Sequence, residues 1–111
     1  MAISKEAQHF AYSILGDIWQ IYKVHESDNV IMNENAEAET NLDSREMYFK
    51  DVNLDAVIHE LTHVYFRATY LRFTSDMSFN DFEEVAVALF ADRGALILKQ
   101  ATEIYNKLKE L

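Results

Sequence analysis

The stretch NLDAVIHELTHVYFRATYL, residues 53–71, has the clearest periodicity in the chain. Asn53 or Asp51 precedes the pattern as a candidate N-cap, because short polar side chains accept hydrogen bonds from the first free backbone N–H groups. The stretch therefore predicts an amphipathic helix from Leu54, because its apolar side chains recur every three or four residues. These side chains are Val57, Ile58, Leu61, Val64, Tyr65, Ala68 and Leu71.

Two segments before this helix have the composition of β-strands. Residues 18–24, IWQIYKV, and residues 46–50, EMYFK, are rich in β-branched and aromatic side chains, which pack well on a pleated surface. The polar stretch 25–43 separates them, with asparagine and aspartate turn signals on both sides of residues 30–32. We therefore predict a small three-stranded sheet with a polar loop.

Residues 4–15 have helical periodicity as well. Ser4 is the candidate N-cap of this segment and Gly16 its candidate C-cap. The sequence therefore predicts an N-terminal helix, with apolar positions at Ala7, Phe10, Ala11, Ile14 and Leu15.

A longer helical pattern runs from Asp81, its candidate cap, almost to Leu111. Gly94 is a point at which this helix could be interrupted. The apolar stripe that predicts it comprises Ala86, Phe90, Ile97, Ala101, Ile104 and Leu108. With 111 residues, half of them hydrophobic, the chain is predicted to be a single α+β domain over residues 1–111.

The charge balance excludes some classes of function. Nineteen acidic and 10 basic side chains give a net charge of −9, so the surface repels phosphate backbones and anionic lipid. We expect neither a nucleic-acid nor a membrane partner. The chain has no cysteine, which excludes disulfides and thiolate metal sites. Lys5 and Glu6 interrupt the apolar run that a signal peptide needs, so a cytoplasmic protein is predicted.

Within the first predicted stretch, residues 59–63 form a complete H-E-x-x-H motif. His59 and His63 lie about one helical turn apart, so both imidazoles project from one face and can bind one metal ion. Glu60 lies close enough to hold a water molecule that the ion also binds. The chain has only four histidines, and its composition gives roughly 0.014 such motifs by chance. The motif therefore predicts a metal centre.

A catalytic zinc site usually has three protein ligands and one open position. No histidine follows His63, which excludes a third histidine downstream and leaves carboxylates. Continuing the stripe of the last helix backwards from Phe90 reaches Glu83, which is then expected to face the core. Because a buried carboxylate requires a cation, Glu83 is the predicted third ligand, with Glu84 as the register alternative. The downstream carboxylates are Asp76, Asp81, Glu83, Glu84, Asp92, Glu103 and Glu110.

This arrangement resembles the gluzincin class of metallopeptidases, in which H-E-x-x-H on one helix is completed by a glutamate on a following helix. The short length is similar to minimal single-domain gluzincins and to zincin-like proteins of phages and prophages, and more distantly to ImmA/IrrE-type peptidase domains. The resemblance covers residues 46–94 and implies a zincin-like fold. It implies Zn²⁺ on His59, His63 and Glu83, with Glu60 as general base and acid. The chain departs from the class at Val87, where gluzincins usually carry Asp or Asn.

The resemblance implies a zinc metallopeptidase that acts on a peptide or protein substrate. Residues 46–50 are the candidate sheet edge on which an extended peptide could pair. The alternative is a catalytically weak or inactive regulatory or binding protein on the same scaffold, phage-encoded, with structural zinc. The sequence leaves the oligomeric state open.

Overall fold

The computed structural model describes residues 8–25, 37–70 and 78–111. Over these ranges the elements are β1 (Gln8–Ile14), β2 (Asp17–Lys23), β3 (Ala38–Asn41), β4 (Glu46–Phe49), α1 (Leu54–Tyr70) and α2 (Phe79–Glu110). The strands form one sheet in the order β1-β2-β4-β3, and both helices bury apolar side chains against it. The α+β class is thereby confirmed. The proposed Ser4 cap and the turn signals around residues 30–32 lie outside the described residues.

A helix was predicted for residues 4–15, but residues 8–14 form the strand β1, while residues 4–7 lie outside the described residues. Phe10, Tyr12 and Ile14 alternate with exposed residues and pack into the core, and every residue of β1 pairs with β2 in antiparallel register. The same side chains fit a helical period, but a strand buries them at every second position while the ladder satisfies the backbone. Pairing with β2 therefore overrides the local pattern.

The turn between β1 and β2 explains the error at Gly16. Leu15 and Gly16 both have positive φ, 53° and 83°, and they form the two-residue connection of a hairpin whose last pair is Ile14 with Asp17. Such turns need positive φ at both central positions. Gly16 thus closes a hairpin and is not a helix C-cap.

The sheet has four strands where three were predicted. β2 and β4 lie where their composition places them, and they pair in parallel. β3, with the sequence AETN, lies in the stretch that the polar composition assigns to a loop and pairs antiparallel with β4. β4 therefore lies between two strands, so the prediction that residues 46–50 form the sheet edge is wrong. Among the described strands, β1 and β3 are the outer ones.

α1 begins at Leu54 as predicted. The Asn53 side-chain oxygen accepts a hydrogen bond from the Ala56 backbone N–H at 2.8 Å, so Asn53 is the N-cap. The Asp51 carboxylate accepts from the Asn53 side-chain amide at 2.9 Å. Both candidate caps are therefore used, one as the cap and the other to orient it.

α2 begins two residues earlier than predicted and continues through Gly94. Ser78 is its N-cap: the hydroxyl accepts from the Asp81 N–H at 3.2 Å, and the Asp81 carboxylate accepts from the Ser78 N–H at 3.0 Å. This reciprocal pair is a capping box. Asp81 is thus the third residue of the helix and not its cap. Neither described helix is both long and apolar enough to cross a membrane.

The buried stripe of α2 changes along its length. In the second half, Ile97, Ala101, Ile104 and Leu108 are buried as predicted. In the first half, Val85 and Leu89 are buried, whereas the predicted Ala86 is exposed and Phe90 is 77% exposed. The second half contacts the sheet, where Lys23 donates to the Leu111 carbonyl, and it also contacts α1, where the Tyr65 hydroxyl donates to Gln100. Val85 and Leu89 lie one position before the predicted Ala86 and Phe90, so the buried side of the first half is turned about 100° from the predicted stripe.

Candidate metal centre

His59 and His63 lie side by side on the outward face of α1. Both are exposed, their ring centroids are 4.8 Å apart with planes at 78°, and the two Nε2 atoms are 3.2 Å apart. Two nitrogens bound to tetrahedral zinc at 2.0–2.1 Å must be about 3.3 Å from each other. The pair therefore already has the separation that a shared zinc ion requires. The same contact also permits one ring to donate an N–H to the other.

Glu60 lies beside the histidines but is buried, with only 6% of its surface exposed. The Thr40 hydroxyl, on β3, donates a hydrogen bond of 2.7 Å to Glu60 Oε1. The second carboxylate oxygen, Oε2, lies 3.9 Å from His59 Nε2. One oxygen is therefore held by the sheet while the other faces the histidine pair.

These three side chains form a compact donor set. One ligand atom from each of His59, Glu60 and His63 lies within 4.8 Å of the others. Two neutral imidazoles and a carboxylate suit a borderline divalent ion such as zinc. The donor chemistry and the nitrogen spacing both fit the predicted ion.

Thr40 is a residue of the candidate site that sequence reasoning missed. It stands in a four-residue strand of unremarkable composition, 20 positions before Glu60. No spacing in the sequence connects the two residues. Only the pairing of β3 with β4, which leads directly into α1, brings the hydroxyl to the carboxylate.

The register of β3 also determines which of its backbone N–H and C=O groups are free of β4. The Lys50 N–H donates to the Glu37 carbonyl at 2.8 Å, and Ala38 and Thr40 stand opposite Phe49 and Met47. In an antiparallel ladder, residues alternate between those bonded to the neighbour and those whose N–H and C=O point outward. The backbone groups of Ala38 and Thr40 therefore point away from β4.

The acids chosen as third ligands are not part of the donor set within the described residues. Glu83 and Glu84 are both exposed on the first turns of α2, and the group around the histidines includes neither. The expectation that Glu83 faces the core is wrong, because Val85 and Leu89 occupy the buried stripe. A ligand role for either glutamate stays a prediction.

Two other downstream acids are already engaged. Asp81 belongs to the capping box, and the Tyr12 hydroxyl donates to the Glu103 carboxylate. Asp76 lies outside the described residues.

A shallow cleft of about 310 Å³ adjoins the histidine pair, lined by Leu42, His63, Phe66, Arg67 and Phe82.

Comparison with known proteins adds no assignment. No model of a protein family, no curated protein and no solved structure matches the chain. What the centre can do is therefore inferred from its own geometry and chemistry.

Proposed function

We propose that the protein is a zinc-dependent metallopeptidase in which His59 and His63 hold the ion and Glu60 moves the proton. The observation that carries the proposal is the 3.2 Å separation of the two Nε2 atoms, combined with a buried carboxylate whose free oxygen faces them. Bound zinc supplies Lewis acidity, which polarises the scissile carbonyl and makes a water molecule a better nucleophile near neutral pH.

The chain's own contribution to the chemistry is proton transfer by Glu60. Thr40 binds Oε1 at 2.7 Å, so that oxygen is occupied and the carboxylate cannot rotate freely. Oε2 then accepts the proton of the attacking water and later delivers it to the departing amine, the sequence expected of a general base that becomes a general acid. Burial of Glu60 keeps the carboxylate in one orientation before substrate arrives.

The proposed substrate is an extended peptide that pairs with β3. The outward backbone N–H and C=O groups of Ala38 and Thr40 can form main-chain hydrogen bonds with a peptide strand. Since the Thr40 side chain contacts Glu60, a peptide bound there would lie beside the proton acceptor. β3 thus takes the role that the sequence assigned to residues 46–50.

The third ligand is proposed to be Glu83, with Glu84 as the alternative. Both carboxylates are exposed on the first turns of the helix that follows α1. A catalytic zinc site usually takes three protein ligands. The metal content of single variants decides between the two glutamates.

The first experiment is elemental mass spectrometry on tag-free protein. We expect about one zinc per chain in the wild type, loss of zinc in His59→Ala and His63→Ala, and loss in only one of Glu83→Ala and Glu84→Ala. A wild-type protein that carries no zinc, even after zinc is supplied, would contradict the metal centre.

The second experiment measures peptide cleavage, with a mixture of peptides from denatured protein as substrate and mass spectrometry to detect new termini. Glu60→Gln should keep the zinc and lose cleavage by a factor of about 10² to 10⁴. Glu110→Gln, an exposed residue at the far end of α2, is the matched control and should cleave normally. Undiminished cleavage by Glu60→Gln would overturn the proposal.

Two observations favour a second function: the His59 side chain is 69% exposed, and the donor set includes no third ligand from α2 within the described residues. On this alternative, the protein is a binding or regulatory protein whose zinc is structural. It predicts that zinc raises the melting temperature while no cleavage is detected. Cleavage that depends on Glu60 would exclude it.

A further inference from the structure

Within the part of the chain that the structure describes, the outer edge of β1 pairs with no other strand. The Gln20 N–H donates to the Arg45 carbonyl at 3.0 Å, on the β4 side. Ala11, which stands opposite Gln20, is therefore at a position where the β1–β2 ladder has no hydrogen bonds. Because such positions alternate along an antiparallel pair, the N–H and C=O groups of His9, Ala11 and Ser13 point outward.

This edge lacks the features that usually keep an outer strand from pairing with another chain. Natural edge strands are short, bulged or interrupted by charged residues and proline. The sequence of β1, QHFAYSI, contains no lysine, arginine, aspartate, glutamate or proline, and all seven residues pair with β2 without a bulge. β3, at the opposite edge, is four residues long and contains Glu39. β1 is therefore the edge to which a further strand can add along seven residues.

The residue order of β1 is complementary to itself. If two copies of β1 run antiparallel, only the register centred on Ala11 pairs all seven residues. The outward backbone groups of His9 then meet those of Ser13 of the second copy, and Ala11 meets its own equivalent, so each N–H faces a C=O. On the core side, where Phe10 and Tyr12 are half-buried, Phe10 lies opposite Tyr12 of the second copy. Aromatic pairs of this kind stabilise neighbouring strands.

Two charged residues of α2 match in the same register. The Lys107 ammonium lies 5.6 Å from the centroid of the Phe10 ring, and the Glu103 carboxylate accepts a hydrogen bond from the Tyr12 hydroxyl. Because Phe10 lies opposite Tyr12 of the second copy, Lys107 of each chain comes beside Glu103 of the other. The register therefore brings opposite charges together at two symmetric positions, although each chain has a net charge of −9. This charge match favours a second copy over an unrelated strand.

We propose that two copies of the chain associate through their β1 strands, antiparallel and centred on Ala11. The two four-stranded sheets then form one continuous sheet with a two-fold axis at Ala11. The β3 edges, beside the two candidate metal centres, lie at the far ends of this sheet and stay accessible. An interface of one strand pair is small, so we expect a dissociation constant of roughly 1–100 μM.

Sedimentation equilibrium of the tag-free full chain, from about 5 to 500 μM, tests the association. Chelator is present throughout, so that zinc shared between the histidine pairs of two chains does not contribute. Ala11→Glu and Ala11→Lys each place two like charges opposite one another at the axis and should each weaken dimerisation by about tenfold or more. An equal mixture of the two variants should dimerise again, because opposite charges then meet at the axis. Such recovery would also show that both variants are folded.

Lys107→Glu tests the charge match. It places two carboxylates together at both symmetric positions and should weaken dimerisation by about tenfold. Lys109→Glu makes the same change of charge at another exposed residue, about 200° further around α2. This matched control should change the dissociation constant by less than about threefold.

Four results would overturn the proposal. A chain that stays monomeric up to about 500 μM would leave the β1 edge to another partner or to another segment of the chain. The other three are a dimer that neither Ala11 variant weakens, a mixture of the two variants that stays monomeric, and a dimer that forms only without chelator. None of them depends on whether the protein cleaves peptides.

Discussion

The outward and inward faces of α1 are built by different means. On the outward face, His59 and His63 are exposed, and their 3.2 Å Nε2 contact follows from a spacing of four residues on a helix. On the inward face, Glu60 depends on a hydroxyl from β3, and Leu61 is fully buried in the core. The comparison teaches that the close approach of the histidine pair needs only local structure, whereas the orientation of the carboxylate needs the whole fold.

The largest expected effect is on the inward face. Leu61→Ala should lower the free energy of unfolding by about 2–5 kcal/mol, because it removes a fully buried side chain and leaves a cavity. Leu98→Ala makes the same change at a site that is about half exposed and is the matched control. Urea denaturation measures both. Equal losses in the two variants would mean that the inward face is not the packed one.

Thr40→Val should have the next largest effect. It preserves the shape of the side chain but leaves the buried Glu60 without its 2.7 Å donor, which costs about 1–3 kcal/mol of stability. Thr40→Ser keeps a hydroxyl and should restore most of this, together with cleavage activity. Thr102→Val removes an exposed hydroxyl bound to its own helix and serves as control. If Thr40→Val is as stable as the wild type, β3 does not hold Glu60.

Alkaline pH should lower the free energy of unfolding, in part through Tyr65 on the inward face. Burial raises the pKa of Tyr65, with Arg93 and the hydrogen bond to Gln100 opposing it. The contribution of the protonated Tyr65 hydroxyl to the free energy of unfolding is fully present below the ordinary tyrosine pKa of about 10. Above that pH the unfolded chain ionises first, so stability falls by at most about 1.4 kcal/mol per pH unit for this group. Denaturation curves at several pH values should show a shallower decline for Tyr65→Phe, and an unchanged slope would refute this assignment.

The smallest effect is expected on the outward face. Without metal, His63→Ala should change the free energy of unfolding by less than about 0.5 kcal/mol, because the side chain is exposed. With zinc, the same variant should lose the stabilisation that the wild type gains from binding. His9→Ala, on β1, should retain it. Thermal melts with and without zinc make the test, and a zinc effect that survives in His63→Ala would place the ion elsewhere.

The same division separates what the sequence predicts from what it does not. The position of β2 to within one residue, the start of α1 and the approach of the two histidines follow from local composition, periodicity and capping, and they are present in the structure. β1 and β3 are not predictable in this way. Each becomes a strand because of its partner, and the partner of β3 is found only after the sheet is assembled.

The predicted core-facing position of Glu83 is wrong for a related reason. The prediction extends one apolar stripe along the whole of α2, although the residues buried in its first half are Val85 and Leu89, one position before the predicted Ala86 and Phe90. Phe90 is apolar yet exposed, so hydrophobicity alone places it on the wrong side. The contact of Thr40 with Glu60 could not be predicted either, because nothing in a single sequence pairs a threonine with a glutamate 20 residues later.

The contact between the hairpin and the end of α2 has a consequence for synthesis. The apolar side chains of β1 and β2 belong to the same core as Ile104 and Leu108 of α2, and Tyr12 bonds to Glu103, 91 residues later. At about 5–20 residues per second on the ribosome, roughly 5–20 s pass before this part of α2 is translated. During this time the apolar side chains of the hairpin are exposed to solvent, so we expect a chaperone to bind them in the nascent chain.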